Sequence, residues 1–512
     1  MIKGEMKMQK LTEEMMNMTV RDLIVTGEVP NEEWLALALK GTNVVTMTDS
    51  YKFNNNSFLK GVTGMNSYFE SRSGAEYPTT VFFGLQPILL KYLAGKRVTQ
   101  AKIDEAKITA KNHLGSETDF NQPMWQYILD KHDGYLPLEI KAVPEGIEVP
   151  ESNVLMTIVN TDAEMPDALC QGLVNHVETT LTNVFSASVI ASKGKYIKRI
   201  LQKYANLSAM DDAYMKFQLH SFGQRSAKCP EAASWGGAAE LVSFMGTDTV
   251  LGWECMRDYY DGVLADIGYS VFATEHNYMM YKGRWGESDV VEEILALRPT
   301  GIVSCVSDTY DIYNFVDNII GKQFRDQIME RDGVWVTRPD SLTPEHDTPA
   351  KISLWILESL WKNFGGTVNK KGFRVLDPHV RVIYGDSLTE VSIEDILKVI
   401  TDAGFSAENM VFGCGSYMMD KHNRDTQRNA YKTSAMYDAE QGWYGTYKEP
   451  LGSNKRSKKG RLKLVKDGNS YKTLTEYDDG YDTAKDELVT VFKGGIMVKR
   501  YTMAEVRRNA NF

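Results

Sequence analysis

The stretch Gly268-Tyr-Ser-Val-Phe-Ala-Thr-Glu-His-Asn277 decides how the rest of the chain is read. Tyr269 to Ala273 is a β-branched and aromatic run, and it predicts a short buried strand. The run stops at Thr274, Glu275 and His276, so a carboxylate and an imidazole stand at the strand's carboxyl end. A hydrogen-bonded structural histidine is commoner than a catalytic one, and this pair alone decides nothing. The weight comes from repetition. Phe217 to Leu219 leads to His220-Ser-Phe-Gly-Gln-Arg225, Leu241 to Met245 to Gly246-Thr-Asp248, and Ile302 to Val306 to Ser307-Asp308. Val334 to Val336 leads to Arg338-Pro-Asp340, Val380 to Tyr384 to Gly385-Asp386, and Met410 to Phe412 to Gly413-Cys-Gly-Ser416. Helix-patterned segments lie between several of them, such as Asp289 to Leu297 and Ile352 to Phe364. The clusters recur about every 25 to 50 residues, the spacing of βα units in a barrel with chemistry at the strand carboxyl ends. A doubly wound open sheet also places ligands there and stays the alternative.

The flanks read differently. Residues 1 to 45 predict an N-terminal helical extension, and Val44 to Lys52 a short strand running into a polar cluster. Ser67 to Arg72 and Thr79 to Phe83 predict strands; Gly84 to Leu93 and Thr99 to His113 predict helices. Leu136 to Val143 and Asn153 to Val159 alternate as antiparallel strands do, and Gln171 to Leu207 returns to helix. Beyond Asp420 come a basic run, Asn454 to Arg461, and two hairpins, Leu462 to Leu474 and Leu488 to Tyr501. Pairing of these with the early strands gives a discontinuous domain, residues 46–210 plus 420–512, with an α/β barrel over 211–419 inserted in it. The fold class expected is α/β: an irregular barrel within an α+β accessory domain.

The chain has 512 residues, enough for at least two domains, with 43% hydrophobic and 25% charged residues. A net charge of −10 stands against a nucleic-acid partner. Five scattered cysteines without a CxxC fit reduced thiols and a cytoplasmic setting. No apolar run reaches membrane-spanning length.

Sorted by charge, the clusters point to a phosphorylated sugar. Arg225, Arg338 and Arg424, with Lys432, Lys448 and Lys455, suit phosphate oxygens. Gly385-Asp386 suits ribose hydroxyls, and Gly413 to Ser416 offers backbone N–H groups to a phosphate. Phe222 and Tyr51 suit a flat ring, although unplaced aromatics are more often core. Pro339 fixes the backbone between Arg338 and Asp340, a rigid cation–anion pair. There is no Walker A, HExxH or GxSxG signature.

Thr48-Asp-Ser-Tyr-Lys52, Ser67-Tyr-Phe-Glu70, Ile140 to Gly146, Gly246-Thr-Asp-Thr-Val250, Ser307 to Asn314, Arg338-Pro-Asp-Ser341 and Asn454 to Leu462 together resemble the nicotinamide phosphoribosyltransferase family, from about Asn43 to Asn511. The resemblance implies a type II phosphoribosyltransferase, a homodimer with shared active sites that joins nicotinamide to 5-phosphoribosyl 1-diphosphate. It implies Mg²⁺ with the diphosphate and ATP as co-substrate through a phosphorylated histidine. His276 matches that histidine and Asp308 its support. Arg225 and Arg338 match diphosphate and nucleotide contacts, and Asp340, Gly385 and Asp386 ribose contacts. Phe222 and the second subunit's Tyr51 match the walls of a nicotinamide sandwich. Asp248 and Ser270 match positions near the carboxamide. Arg424, Lys432, Lys448 and Lys455 match a basic cluster reaching phosphates across the dimer, and Asp49, Arg72, Pro339, Gly415 and Ser416 join the substrate-binding set.

The chain departs from the family pattern. Ser416 and Tyr417 stand where glycines are usual, Ala430 where a phosphate-contacting serine is expected, Leu342 and Ser387 for glycines, and Ser221 for an aspartate. Most lie near the 5′-phosphate end, so ADP-ribose 1-diphosphate, giving NAD directly, is the alternative donor. Nicotinate as acceptor is disfavoured by Asp248. A catalytically silent binding protein is the reading from another class; the intact His276, Asp308, Arg338 and Asp340 stand against it.

Overall fold

The computed structural model describes residues 42–53, 59, 61–116, 118–162, 170–451 and 456–512. The helices expected before Gly41 and the basic-run residue Lys455 lie outside the described residues.

Two seven-stranded sheets carry the structure. The first is antiparallel, in the spatial order Gly442–Gly445, Asn429–Asp438, Val62–Ser71, Val154–Asn160, Leu138–Ala142, Val489–Lys493, Ile496–Met497. Its strands come from both ends of the chain: Phe69 faces Tyr431 on one side and Met156 on the other.

The second sheet is parallel. Its order is Gly246–Thr247, Leu219–Ser221, Met410–Cys414, Val380–Tyr384, Asp332–Arg338, Thr300–Val306, Phe272–Ala273. The two outer strands meet through one parallel bridge, Gly246 to Tyr269, so the sheet curls into an irregular barrel. Side chains alternate along its strands as a pleat requires. Val303 and Cys305, Trp335 and Thr337, and Val380 and Val382 point outward and are fully buried. Ile302, Ser304, Val334, Val336, Arg381, Ile383 and Val411 instead line an interior cavity of about 420 Å³. Barrels of this kind are usually filled by side chains. Here the inward residues leave a channel, which is why Ile302 is 46% exposed in mid-strand. Capped amphipathic helices cover the outside. Thr348 accepts from Lys351 N at 3.2 Å to start Pro349–Phe364, and Thr389 forms a capping box with Ser392 to start Glu390–Asp402.

Several local expectations change. Val44 to Lys52 is not a strand. Asn43 Oδ1 accepts from Val45 N at 3.0 Å, and this turn runs to a short 3₁₀ helix, Ser50–Lys52. Leu241 to Met245 is a turn, because the buried Arg507 guanidinium takes the carbonyls of Leu241 (3.0 Å) and Phe244 (3.3 Å). Of Tyr269 to Ala273 only Phe272–Ala273 forms a strand, Tyr269 making the single bridge to Gly246, and the run is not buried: Tyr269 is 46% exposed to the channel. The strand Asn429–Asp438 was not anticipated; it is polar enough to pass for loop.

Candidate active site

The carboxyl ends of the parallel strands open into a mouth cavity of about 1120 Å³. Phe222, Arg225, Asp248, His276, Arg338, Asp340, Gly385, Asp386, Gly415 and Ser416 all line it. The interior channel shares Phe222, Asp248, Ala273 and Arg338 with the mouth, so these four form the neck between them. Ser270 lies just inside the neck, and its hydroxyl donates to Asp248 Oδ1. Glycine is needed under the Phe222 ring: a Cβ on Gly413 would stand 2.1 Å from Phe222 Cε2, and one on Gly385 3.0 Å. The two strands thus bring bare backbone against one face of the ring.

His276 opens a one-turn helix, His276–Met280, directly after the edge strand. Its Nε2 lies 3.2 Å from Asp308 Oδ1, with the imidazole 43% exposed and the carboxylate 5%. Asp308 Oδ2 accepts from Asp340 N at 2.9 Å. Ser307 ties the two strand ends together: its N donates to Arg338 O at 3.0 Å, and Arg338 N donates to its Oγ at 3.2 Å. The Arg338 guanidinium donates back to Thr274 O. The Arg338 guanidinium and the Asp308 carboxylate are therefore tied to main-chain groups, and the His276 imidazole is held by Asp308. Pro339 supplies the bend between Arg338 and Asp340 without lining the cavity. Ser387 takes a left-handed backbone, φ 51°, and bonds Asp386 Oδ1 at 3.1 Å, which accounts for glycine being usual there.

Burial pushes the Asp340 carboxyl above its ordinary range; Arg338 pulls it back, while Asp308 and Asp386 push it up again. His220, beneath Asp248, is held low by burial, which the Asp248 carboxylate opposes. Behind Asp308, burial and then Asp311 raise Glu287 to about 7. The sequence reading passed over Glu287, which sits in an ordinary-looking helix start. Lys228, Asn277 and Tyr278, which carry no sequence signal of a site, also line the mouth, as does Tyr417. Glu275 lines it too, with no further role visible.

The remaining predicted residues lie elsewhere. Arg72, Arg424, Lys432 and Lys448 line a second cavity, of about 500 Å³, together with Arg428, Ala430, Arg456 and Lys458. It sits on the antiparallel sheet and has no lining residue in common with the mouth. Burial lowers the Lys432 pKa; Glu178 opposes this, and Arg72, Arg424 and Lys448 add to it. Glu178 also pairs with Lys52 at 2.8 Å, which places the Asp49–Tyr51 segment near this basic face. Tyr51 is 67% exposed, and its hydroxyl donates to Asp49 Oδ2 at 3.3 Å. The predicted residues that line these two cavities therefore form two groups: a mouth that suits a ribose diphosphate and a flat ring, and a basic cavity that suits further phosphate oxygens.

The model of the Nicotinate phosphoribosyltransferase (NAPRTase) family matches residues 217–495, and that of the Nicotinamide phosphoribosyltransferase N-terminal domain matches 43–140. A nicotinamide phosphoribosyltransferase of Xanthomonas campestris pv. campestris is 37% identical over 478 residues, 92% of this chain and 98% of that one. One of Acinetobacter baylyi is 32% identical over 455 residues, 84% and 87% of the two chains. In fold, the chain is similar to a nicotinate-nucleotide pyrophosphorylase from Pyrococcus furiosus, with TM-score 0.56, 14% identity and 94% and 96% coverage. It is also similar to human nicotinic acid phosphoribosyltransferase, with TM-score 0.54, 14% identity and 91% and 93% coverage. With relatives this similar along nearly their whole length, the chain belongs to the nicotinamide phosphoribosyltransferase family.

Proposed function

We propose that the protein is a NAD-salvage enzyme that transfers the phosphoribosyl group of 5-phosphoribosyl 1-diphosphate to nicotinamide, giving nicotinamide mononucleotide and diphosphate. The observation that carries the reading is the neck. Asp248, Arg338 and the glycine-backed ring of Phe222 meet there, with Asp340 and Asp386 just outside in the mouth. The bond from the anomeric carbon to diphosphate breaks and one to the ring nitrogen forms. Arg225 and Arg338 stabilise the departing anion, while Asp340 and Asp386 offset the positive charge that develops on the sugar. The ring nitrogen is already a nucleophile, so the site positions it and removes no proton. Asp248 accepts from the carboxamide NH₂ and repels a carboxylate in its place.

Among the described residues no group of three or more His, Cys, Asp or Glu is arranged to hold a metal. The carboxylates at the mouth fit a Mg²⁺ ion held mainly by the diphosphate, which supplies neutralising charge. ATP coupling is part of the proposal. With Nε2–H directed at Asp308, Nδ1 of His276 carries the lone pair that would take a phosphoryl group. The working unit proposed is a homodimer in which the basic cavity and Tyr51 of one subunit complete the mouth of the other. Exposed Tyr51 and the separation of the two cavities support this. No described helix is long and apolar enough to cross a membrane, and a cytoplasmic setting is proposed.

Ala430 in the wall of the basic cavity, with cations all round it, favours a second donor, ADP-ribose 1-diphosphate. Incubating the protein with nicotinamide, Mg²⁺ and either donor, with and without ATP, separates the readings by product mass. No product from either donor overturns both.

A further inference from the structure

Lys193 lies midway along the helix Val184–Ser208 and is 1% exposed. Burying an ammonium is costly unless its hydrogens are taken up. Its Nζ donates to Tyr417 O at 2.9 Å and Lys421 O at 2.8 Å, and lies 4.2 Å from the centre of the Tyr417 ring. The carboxylates of Glu76 and Glu390 act on it without touching it, and burial lowers its pKa.

These carbonyls belong to the turn that bounds the mouth. Ser416 begins the single helical turn Ser416–Met419, and Ser416 and Tyr417 both face the cavity. Asp420 N and Lys421 N fold back onto Ser416 O at 2.8 and 3.1 Å. Met419 wedges the turn from a second side: a Cβ on Gly223, next to Phe222, would stand 2.8 Å from Met419 Cβ. The Tyr417 hydroxyl is 3.4 Å from that of Tyr77 on a third. Where the family pattern has glycines that let a loop adjust to its ligand, this chain has a turn set in place beforehand.

We propose that Lys193 is a positioning residue for the phosphate end of the sugar-diphosphate donor: it fixes the Gly415–Tyr417 wall and sets a buried positive charge behind it. The inference rests on the phosphoribosyl-transfer reading above. The test uses full-length Lys193→Met, in which the chain length is kept and the charge lost; it leaves the carbonyls of Tyr417 and Lys421 without this donor, so the fold of the variant is checked by circular dichroism first. Lys193→Gln, which keeps a donor for one carbonyl, serves if the methionine variant does not fold. The KM for 5-phosphoribosyl 1-diphosphate is expected to rise about tenfold, while kcat and the KM for nicotinamide stay within about twofold. Donor affinity measured by calorimetry without nicotinamide is expected to fall by the same factor. Unchanged donor affinity, or equal rises in both KM values, overturns the assignment. A wild-type protein that makes no product overturns the activity reading instead. Calorimetric titration with inorganic diphosphate then still compares the two proteins, and equal affinities overturn the role of Lys193.

Discussion

In the proposed reaction, Asp248 is the residue on which choice of acceptor would turn. It sits in the neck and takes a hydrogen bond from Ser270. An asparagine there keeps the shape and the serine contact but loses the charge that repels a carboxylate. Asp248→Asn is expected to shift the ratio of kcat/KM for nicotinamide over nicotinate toward nicotinate by about tenfold. An unchanged ratio removes Asp248 from the account. A second residue, Glu240, has its effect on stability. It ends the helix Pro230–Glu240, is fully buried, and neither carboxyl oxygen has a hydrogen-bond partner among the described residues. Burial raises it to about 8, with Ser221 pulling it back. From its ordinary range up to about pH 8 the folded chain keeps a proton that the unfolded chain has lost, so stability falls as pH rises across that window. Glu240→Gln removes the titration. The variant should match the parent at pH 5 and exceed it by about 2 to 4 kcal/mol at pH 9, read by urea unfolding. Parallel stability curves would contradict this.

At the scale of elements, the site depends on where strands stop and on which strand ends are bare. Gly413 lies one residue before the end of the strand Met410–Cys414, beneath Phe222, and its missing side chain is the space the ring occupies. Gly413→Ala must displace that ring, since the added carbon would lie 2.1 Å from Cε2. The KM for nicotinamide should rise by about tenfold or more with donor affinity little changed. A normal nicotinamide KM would show that the ring does not hold the acceptor. Four of the seven barrel strands were legible as apolar runs that stop at polar clusters: Thr300–Val306, Asp332–Arg338, Val380–Tyr384 and Met410–Cys414. Each is packed outward against helices, so its apolar pattern is strong. The other three are short and irregular, and the apolar runs Phe217 to Leu219, Leu241 to Met245 and Tyr269 to Ala273 only overlap them in part or stop just before them. Gly246–Thr247 and Phe272–Ala273 are the outermost of the seven, and what holds the segments before them is Arg507, from the far end of the chain. It donates to Leu241 O at 3.0 Å and Ile267 O at 2.8 Å. No local reading of residues 241 to 273 contains that contact. Asn429–Asp438 escaped for a similar reason: its strand character comes from Val62–Ser71, more than 350 residues away in the register Phe69 to Tyr431.

At the scale of the whole molecule, the sequence offers candidate residues for the chemistry but not which of them share a cavity. Strand ends placed in order along a barrel converge by construction, so His276, Arg338, Asp340 and Asp386 could be grouped from spacing alone. Arg72, Arg424, Lys432 and Lys448 could not, because their sheet is assembled from both ends of the chain. The structure leaves each chain with a mouth rich in carboxylates and a separate cavity rich in cations. If one chain's cavity serves the other chain's mouth, damage to the two can be sorted by mixing. Asp340→Asn damages the mouth and Lys432→Ala the basic cavity, and each homodimer should lose most of its activity. In a mixed dimer, one of the two sites combines an intact mouth from one subunit with an intact basic cavity from the other. The second site carries both defects. Random pairing makes about half of the dimers mixed, so co-expression should restore about a quarter of the parental kcat per subunit. The KM values of the restored activity should equal those of the parent, since each working site is whole. Recovery requires dimers: co-expressed variants forced apart by dilution should lose it, and variants mixed only after separate folding should regain it at the rate of subunit exchange. Two inactive parents that stay inactive in every mixture would mean that each chain draws its cations from its own fold.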